Sequence, residues 1–199
     1  MTQASAAIVA SVYAYAFWFL ARRAAAGRGR ALRVAAAWPI VLAASASLGA
    51  VACGTLRGAP FVAAVAGASV CAATDWETGC IFDDVTAGTL LATLAASLLS
   101  GTTAAAAGGA LVVAGLLAVL HLITRGAGLG LGDVKLGASI GASLGAPDGI
   151  VSLGVAFVLG GTYGVALLAS RRARCGSIVR FGPFLTAGLI CVGLHPCFR

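Results

Sequence analysis

Charge is what this chain has least of. Lys, Arg, Asp and Glu make up 10% of its 199 residues, while 60% are hydrophobic. A soluble domain averages about 25% charged residues. So little polar surface cannot cover so much apolar surface, which excludes an ordinary soluble domain. The composition points to a polytopic membrane protein with one domain over residues 1–199. The six cysteines (Cys53, Cys71, Cys80, Cys175, Cys191 and Cys197) contain no CxxC pair, which argues against a zinc or thioredoxin-type site. Cys53, Cys71 and Cys191 read as small buried residues. The two histidines, His121 and His195, lie in different apolar stretches and make no ligand pattern. No metal and no cofactor is expected. His121 reads as a packed helix residue. No long linker or internal repeat interrupts the chain. The first apolar run has no small-residue cleavage site after it, only RRAAAGRGR, and reads as a retained helix rather than a signal peptide.

What the chain does have is apolar stretches, at about 5–21, 34–53, 59–74, 85–100, 104–124, 134–146, 150–170 and 181–195. A spanning helix needs about 20 residues. The expected fold is an all-α membrane helix bundle of about eight transmembrane helices. Six or seven remain alternatives, because four of the stretches are short.

The few charges are informative. The net charge of +7 would suggest nucleic acid in a soluble protein, but here the basic residues sit between apolar runs. With eight spans, Arg22, Arg23, Arg28, Arg30, Arg33, Arg125, Lys135, Arg171, Arg172, Arg174 and Arg180 share one side. Only Arg57 and Arg199 fall opposite. The positive-inside rule makes the basic side cytoplasmic and places both termini outside. A cytoplasmic-membrane protein follows, with the lipid bilayer as its surroundings and no nucleic acid partner. Asp75, Glu77, Asp83, Asp84 and Asp133 then lie at the cytoplasmic end, and Asp148 lies outside in the turn APDG.

Asp133 sits in GLGLGDVKL, and Asp75 follows GASVCAAT. An ionisable residue at the edge of a membrane helix is a candidate for function. An ordinary interfacial acid is the competing reading, or, for Asp133, a helix N-cap. Gly137, Gly141 and Gly145 follow Asp133 at four-residue steps, a small-residue ridge that admits a neighbouring helix. Gly67, Cys71 and Asp75 make a weaker stripe of the same kind. If the stripes meet, two carboxylates converge. Such a pair shares a proton: the ionised member activates a water and the protonated member supports the scissile carbonyl.

GLGDVKL at 130–136 resembles the GxGD segment of the type IV prepilin peptidases, which are membrane aspartic proteases. ATDWETGCIFDD at 73–84 is similar to the first aspartate segment of that family, and VRFGPFLTAG at 179–188 to its late FGPFL-type segment. The three occur in the family's order. The resemblance implies an aspartic endopeptidase that removes the basic leader from prepilin-like subunits, with Asp75 and Asp133 as the catalytic pair. Gly130 and Gly132 would seat Asp133, and Lys135 would tune or position. Phe181, Gly182 and Pro183 would shape a helix entry near the site. Glu77, Asp83 and Asp84 are candidates for attracting the leader, the alternative being solvated loop acids. Phe82 stands where the family usually has proline, which leaves the loop after Asp75 in question. The loop RRAAAGRGRALR has no cysteine, unlike the methyltransferase region of the larger members. The form implied is therefore compact and peptidase-only, as with Flp/Tad-type pili. Two alternatives stay open: another GxGD intramembrane protease, and a proton-coupled carrier, whose acids would more naturally sit at mid-membrane.

Overall fold

The computed structural model describes residues 58–126, 128–171 and 179–194, with Phe19, Arg23 and Ala26. The stretches expected at 5–21 and 34–53 lie outside the continuously described residues. Six helices follow one another: α1 (Ala59–Thr78), α2 (Asp83–Leu99), α3 (Thr103–Ile123), α4 (Leu131–Leu144), α5 (Ala146–Ala169) and α6 (Gly182–Gly193). No strand occurs among the described residues.

The expectation of about eight transmembrane helices is corrected. Among the described residues, only α1, α3 and α5 are long and apolar enough to cross a membrane, at 20, 21 and 24 residues. The helix α4 has 14 residues and α6 has 12. At about 1.5 Å per residue both fall well short of the roughly 30 Å hydrocarbon layer. They are apolar because protein surrounds them: Leu136, Ile140, Leu185 and Leu189 are all buried. The 17-residue α2 carries Asp83 and Asp84 in its first turn, where the helix dipole favours acids.

Local chemistry sets the boundaries. Pro60 stands in the first turn of α1, where its missing N–H costs nothing. Gly79 ends that helix in the left-handed conformation at φ 65°, and its N–H donates to the Asp75 carbonyl at 2.8 Å, an αL cap. Phe82 precedes α2 with φ −81°, close to the angle proline fixes. Phenylalanine thus keeps a loop shape that proline would also allow, and its side chain is buried. A single residue, Gly145 at φ 81°, separates α4 from α5. Asp148, expected in a turn, therefore belongs to the first turn of α5.

The helix α4 touches all five others; α1, the most buried of the three long apolar helices, packs against α2, α4 and α6, while α3 and α5 pack on α4. Both α3 and α5 turn large apolar side chains outward, among them Leu111, Leu122, Val158 and Val165. A continuous apolar surface of this kind marks a membrane contact and fits a multi-pass membrane protein. On the buried side of α2, Thr89, Thr93 and Ser97 each donate a hydroxyl to the carbonyl four residues back, so these hydroxyls are satisfied without water.

The two small-residue stripes do not pair with each other. Gly141 meets Gly109 of α3 so closely that a Cβ on either would overlap the other's carbonyl oxygen, and Gly137 lies against Leu117. Gly67 of α1 packs on Thr89 of α2. Each ridge admits a neighbour, as small residues do, but the neighbours are α3 and α2. Cys71 is buried as expected, whereas Cys191 is exposed.

Candidate active site

Asp75 lies in the last turn of α1, and Asp133 in the first turn of α4. Asp133 is not the N-cap, since the helix starts two residues earlier. Gly130 is extended at φ −76°, ψ 157°. Its carbonyl accepts the Asp133 N–H at 3.2 Å, and its N–H donates to Asp133 Oδ2 at 3.0 Å. The aspartate thus plays the third-position acid of a capping box, which holds its side chain back toward the glycine segment. Asp75 is held from far along the chain: the Gly182 N–H, at the start of α6, donates to Asp75 Oδ2 at 3.0 Å. Thr186 ties the same helix down, its hydroxyl bonding the Ala68 carbonyl at 3.0 Å.

Both carboxylates open into one cavity of about 520 Å³. Asp75 is 6% exposed and Asp133 7%. Asp133 Oδ1 is buried with no hydrogen-bond partner, an expensive condition for a polar atom. Asp133 lies outside the three candidate spans. Burial pushes its carboxyl up to about 6; the Gly130 N–H acts in the opposite direction, and the nearby Asp75 charge adds to the rise.

The remaining candidates fall into two groups. Gly130, Gly132 and Phe181 line the cavity with the two aspartates. Gly132 lets Ile81 approach, since a Cβ there would stand 2.7 Å from the Ile81 Cβ. Phe181 packs its ring on Phe157 at 4.9 Å. Gly182 contacts Asp75 directly, and Pro183 occupies the first turn of α6. Lys135 is elsewhere. It forms an ion pair with Asp83 at 2.7 Å, and these side chains are 47% and 64% exposed. Exposed pairs contribute only about 0–1 kcal/mol. Neither residue lines the cavity, nor do the half-buried Glu77 and the exposed Asp84.

Three further lining residues, Cys80, Ile81 and Arg180, lie inside the two flanking motif segments but are not among the site residues expected from the sequence. Arg180 is the second residue of VRFGPFLTAG, directly before FGPF, and membership of that segment was the available signal. His121 is also more than a packed residue: its Nδ1 lies 2.7 Å from the Leu129 carbonyl oxygen. Among the described residues no group of three or more His, Cys, Asp or Glu side chains could hold a metal ion.

Taken together, these features define a multi-pass membrane helix protein with a carboxylate-walled cavity at one end of its bundle. Residues 62–165 match the type IV leader peptidase family. That is more than half of the chain, and the protein belongs to this family, a membership consistent with protease activity. The match takes in both aspartates and ends before the VRFGPFLTAG segment. Comparison with curated proteins and with solved structures gives no match.

Proposed function

We propose that this protein is a membrane-embedded aspartic endopeptidase. It cleaves the leader from prepilin-like subunits, of which Flp/Tad-type subunits are the first to test, at the cytoplasmic face. The observation that carries this reading is the convergence of two carboxylates, from different helices, on the wall of one cavity, with Asp133 Oδ1 buried and without a partner.

In this mechanism the two aspartates hold one proton between them and titrate as a pair. We assign the proton to Asp133, whose Oδ1 has no hydrogen-bond donor to support a negative charge, and it passes from that carboxyl to the scissile carbonyl oxygen. Asp75, held by the Gly182 N–H and beside Arg180 on the cavity wall, is the base. It takes a proton from water as the water oxygen bonds to the carbonyl carbon. The tetrahedral intermediate, a gem-diol, then collapses: the C–N bond breaks, the leaving amine takes the proton held by Asp75, and one gem-diol hydroxyl returns its proton to Asp133 as the new carboxyl forms. The orientation rests on charge. Arg125, Lys135 and Arg180 border the cavity end of the bundle, and basic residues collect on the cytoplasmic side.

The test is co-expression with a candidate prepilin, read as a mobility shift on loss of the leader. The wild type processes the subunit. Asp75→Asn and Asp133→Asn each abolish processing while still inserting in the membrane. Processing that survives either substitution rules out the dyad.

A further inference from the structure

We infer that His121 is a positioning residue for Asp133, acting through the single peptide unit that joins Leu129 to Gly130. The Leu129 carbonyl oxygen lies 2.7 Å from His121 Nδ1. A carbonyl can only accept, so Nδ1 carries the proton and donates it. The other end of that same peptide group is the Gly130 N–H, which donates to Asp133 Oδ2 at 3.0 Å. The path therefore runs from imidazole to carbonyl, through one amide plane, and from the amide N–H to the carboxylate. Donation into the carbonyl oxygen draws electron density from the amide nitrogen and makes its N–H a stronger donor, as hydrogen bonds in a chain polarise one another. It also fixes the plane of the amide, and so the direction in which Gly130 points.

The surroundings hold the ring in place. The His121 backbone carbonyl accepts the Gly126 N–H at 2.9 Å. Gly126 turns there at φ 75°, and a Cβ on it would stand 3.2 Å from His121 Cε1. Leu129 is buried. One residue at the end of α3 thus closes the connection to α4 at two points, and the second is one peptide bond from the aspartate's donor. The charged or titratable groups around Asp133 are Asp75 and Cys71 from α1, Cys80 from the loop that follows it, and Arg180 before α6. The Asp83–Lys135 pair lies outside the cavity wall.

The consequence for rate rests on the catalytic reading of Asp133; the effect on its proton does not. The experiment is infrared titration of the Asp133 carboxyl in detergent micelles, with the band identified by its loss in D133N. The variants are H121F, which keeps the ring and removes the donor, and H121N, whose amide nitrogen occupies the Nδ1 position. H121F raises the midpoint above the wild-type value near 6 by about half a pH unit. It also lowers kcat about five-fold with KM unchanged, and H121N restores both. Equal midpoints in H121F and H121N overturn the inference. If H121F is not recovered folded, H121Q replaces it, because glutamine places its donor away from the Nδ1 position. A midpoint in H121Q that matches H121N is then the overturning result. A midpoint that moves as expected while the wild type processes no prepilin keeps the relay and removes the peptidase reading.

Discussion

A methyl group that is not there shapes the Asp75 end of the site. A Cβ at position 182 would stand 2.9 Å from Asp75 Oδ2 and 3.2 Å from its Cβ. Gly182→Ala must therefore push the carboxylate or the start of α6 aside. Displacements of about 1 Å cost on the order of 100-fold in a catalytic step. The expected outcome is a drop in prepilin processing of roughly ten- to 100-fold, with normal membrane insertion. A wild-type processing rate in G182A would show that this contact does not seat Asp75. The FGPFL segment was legible as something near the site. Its physical role was not, because a backbone N–H leaves no mark in a sequence and its acceptor is 107 residues away. The same holds for His121, whose partner is also a backbone group. Asp75 and Asp133 were legible because charge is so rare around them.

At the scale of elements, the contact between α3 and α4 depends on Gly109 and Gly141, whose backbones touch. Gly141→Val would drive the helices apart. Overpacking of this kind costs about 1–3 kcal/mol, so the thermal midpoint in detergent falls. Gly108→Val on α3, beside Gly109, where a Cβ meets nothing within 4 Å, serves as the control. A G141V midpoint equal to that of G108V would show that the approach is not tight. The glycine stripe in α4 announced that some helix comes close. It could not name α3, since spacing fixes which face is small and says nothing of what packs there. The helix count failed for a related reason. Hydropathy scores how apolar a segment is, whereas the 12 and 14 residues of α6 and α4 are apolar because other helices cover them. Six of the eight expected stretches do coincide with helices, and the other two lie outside the continuously described residues.

For the molecule as a whole, the Asp133 proton links folding to pH. Folded, the carboxyl holds its proton to about 6, against the ordinary value of 3.8. The folded state therefore binds more protons than the unfolded state between those values. Stability falls as pH rises through that window and levels off above it. Thermal unfolding in micelles should show a midpoint that declines from about pH 4 to about pH 6, with a smaller decline in D133N. Equal slopes in the two proteins would show that Asp133 is not the group responsible.

Five of the residues around the cavity, Gly79, Gly126, Gly128, Gly130 and Gly132, are glycines. Glycine has no side-chain atom to give up. A single exchange at any of these five positions can only add material, so variation there runs one way, toward a smaller space. If the two aspartates stay, a relative with a roomier site must gain the room by trimming Cys80, Ile81, Leu129, Val179, Arg180 or Phe181, or by moving the main chain itself.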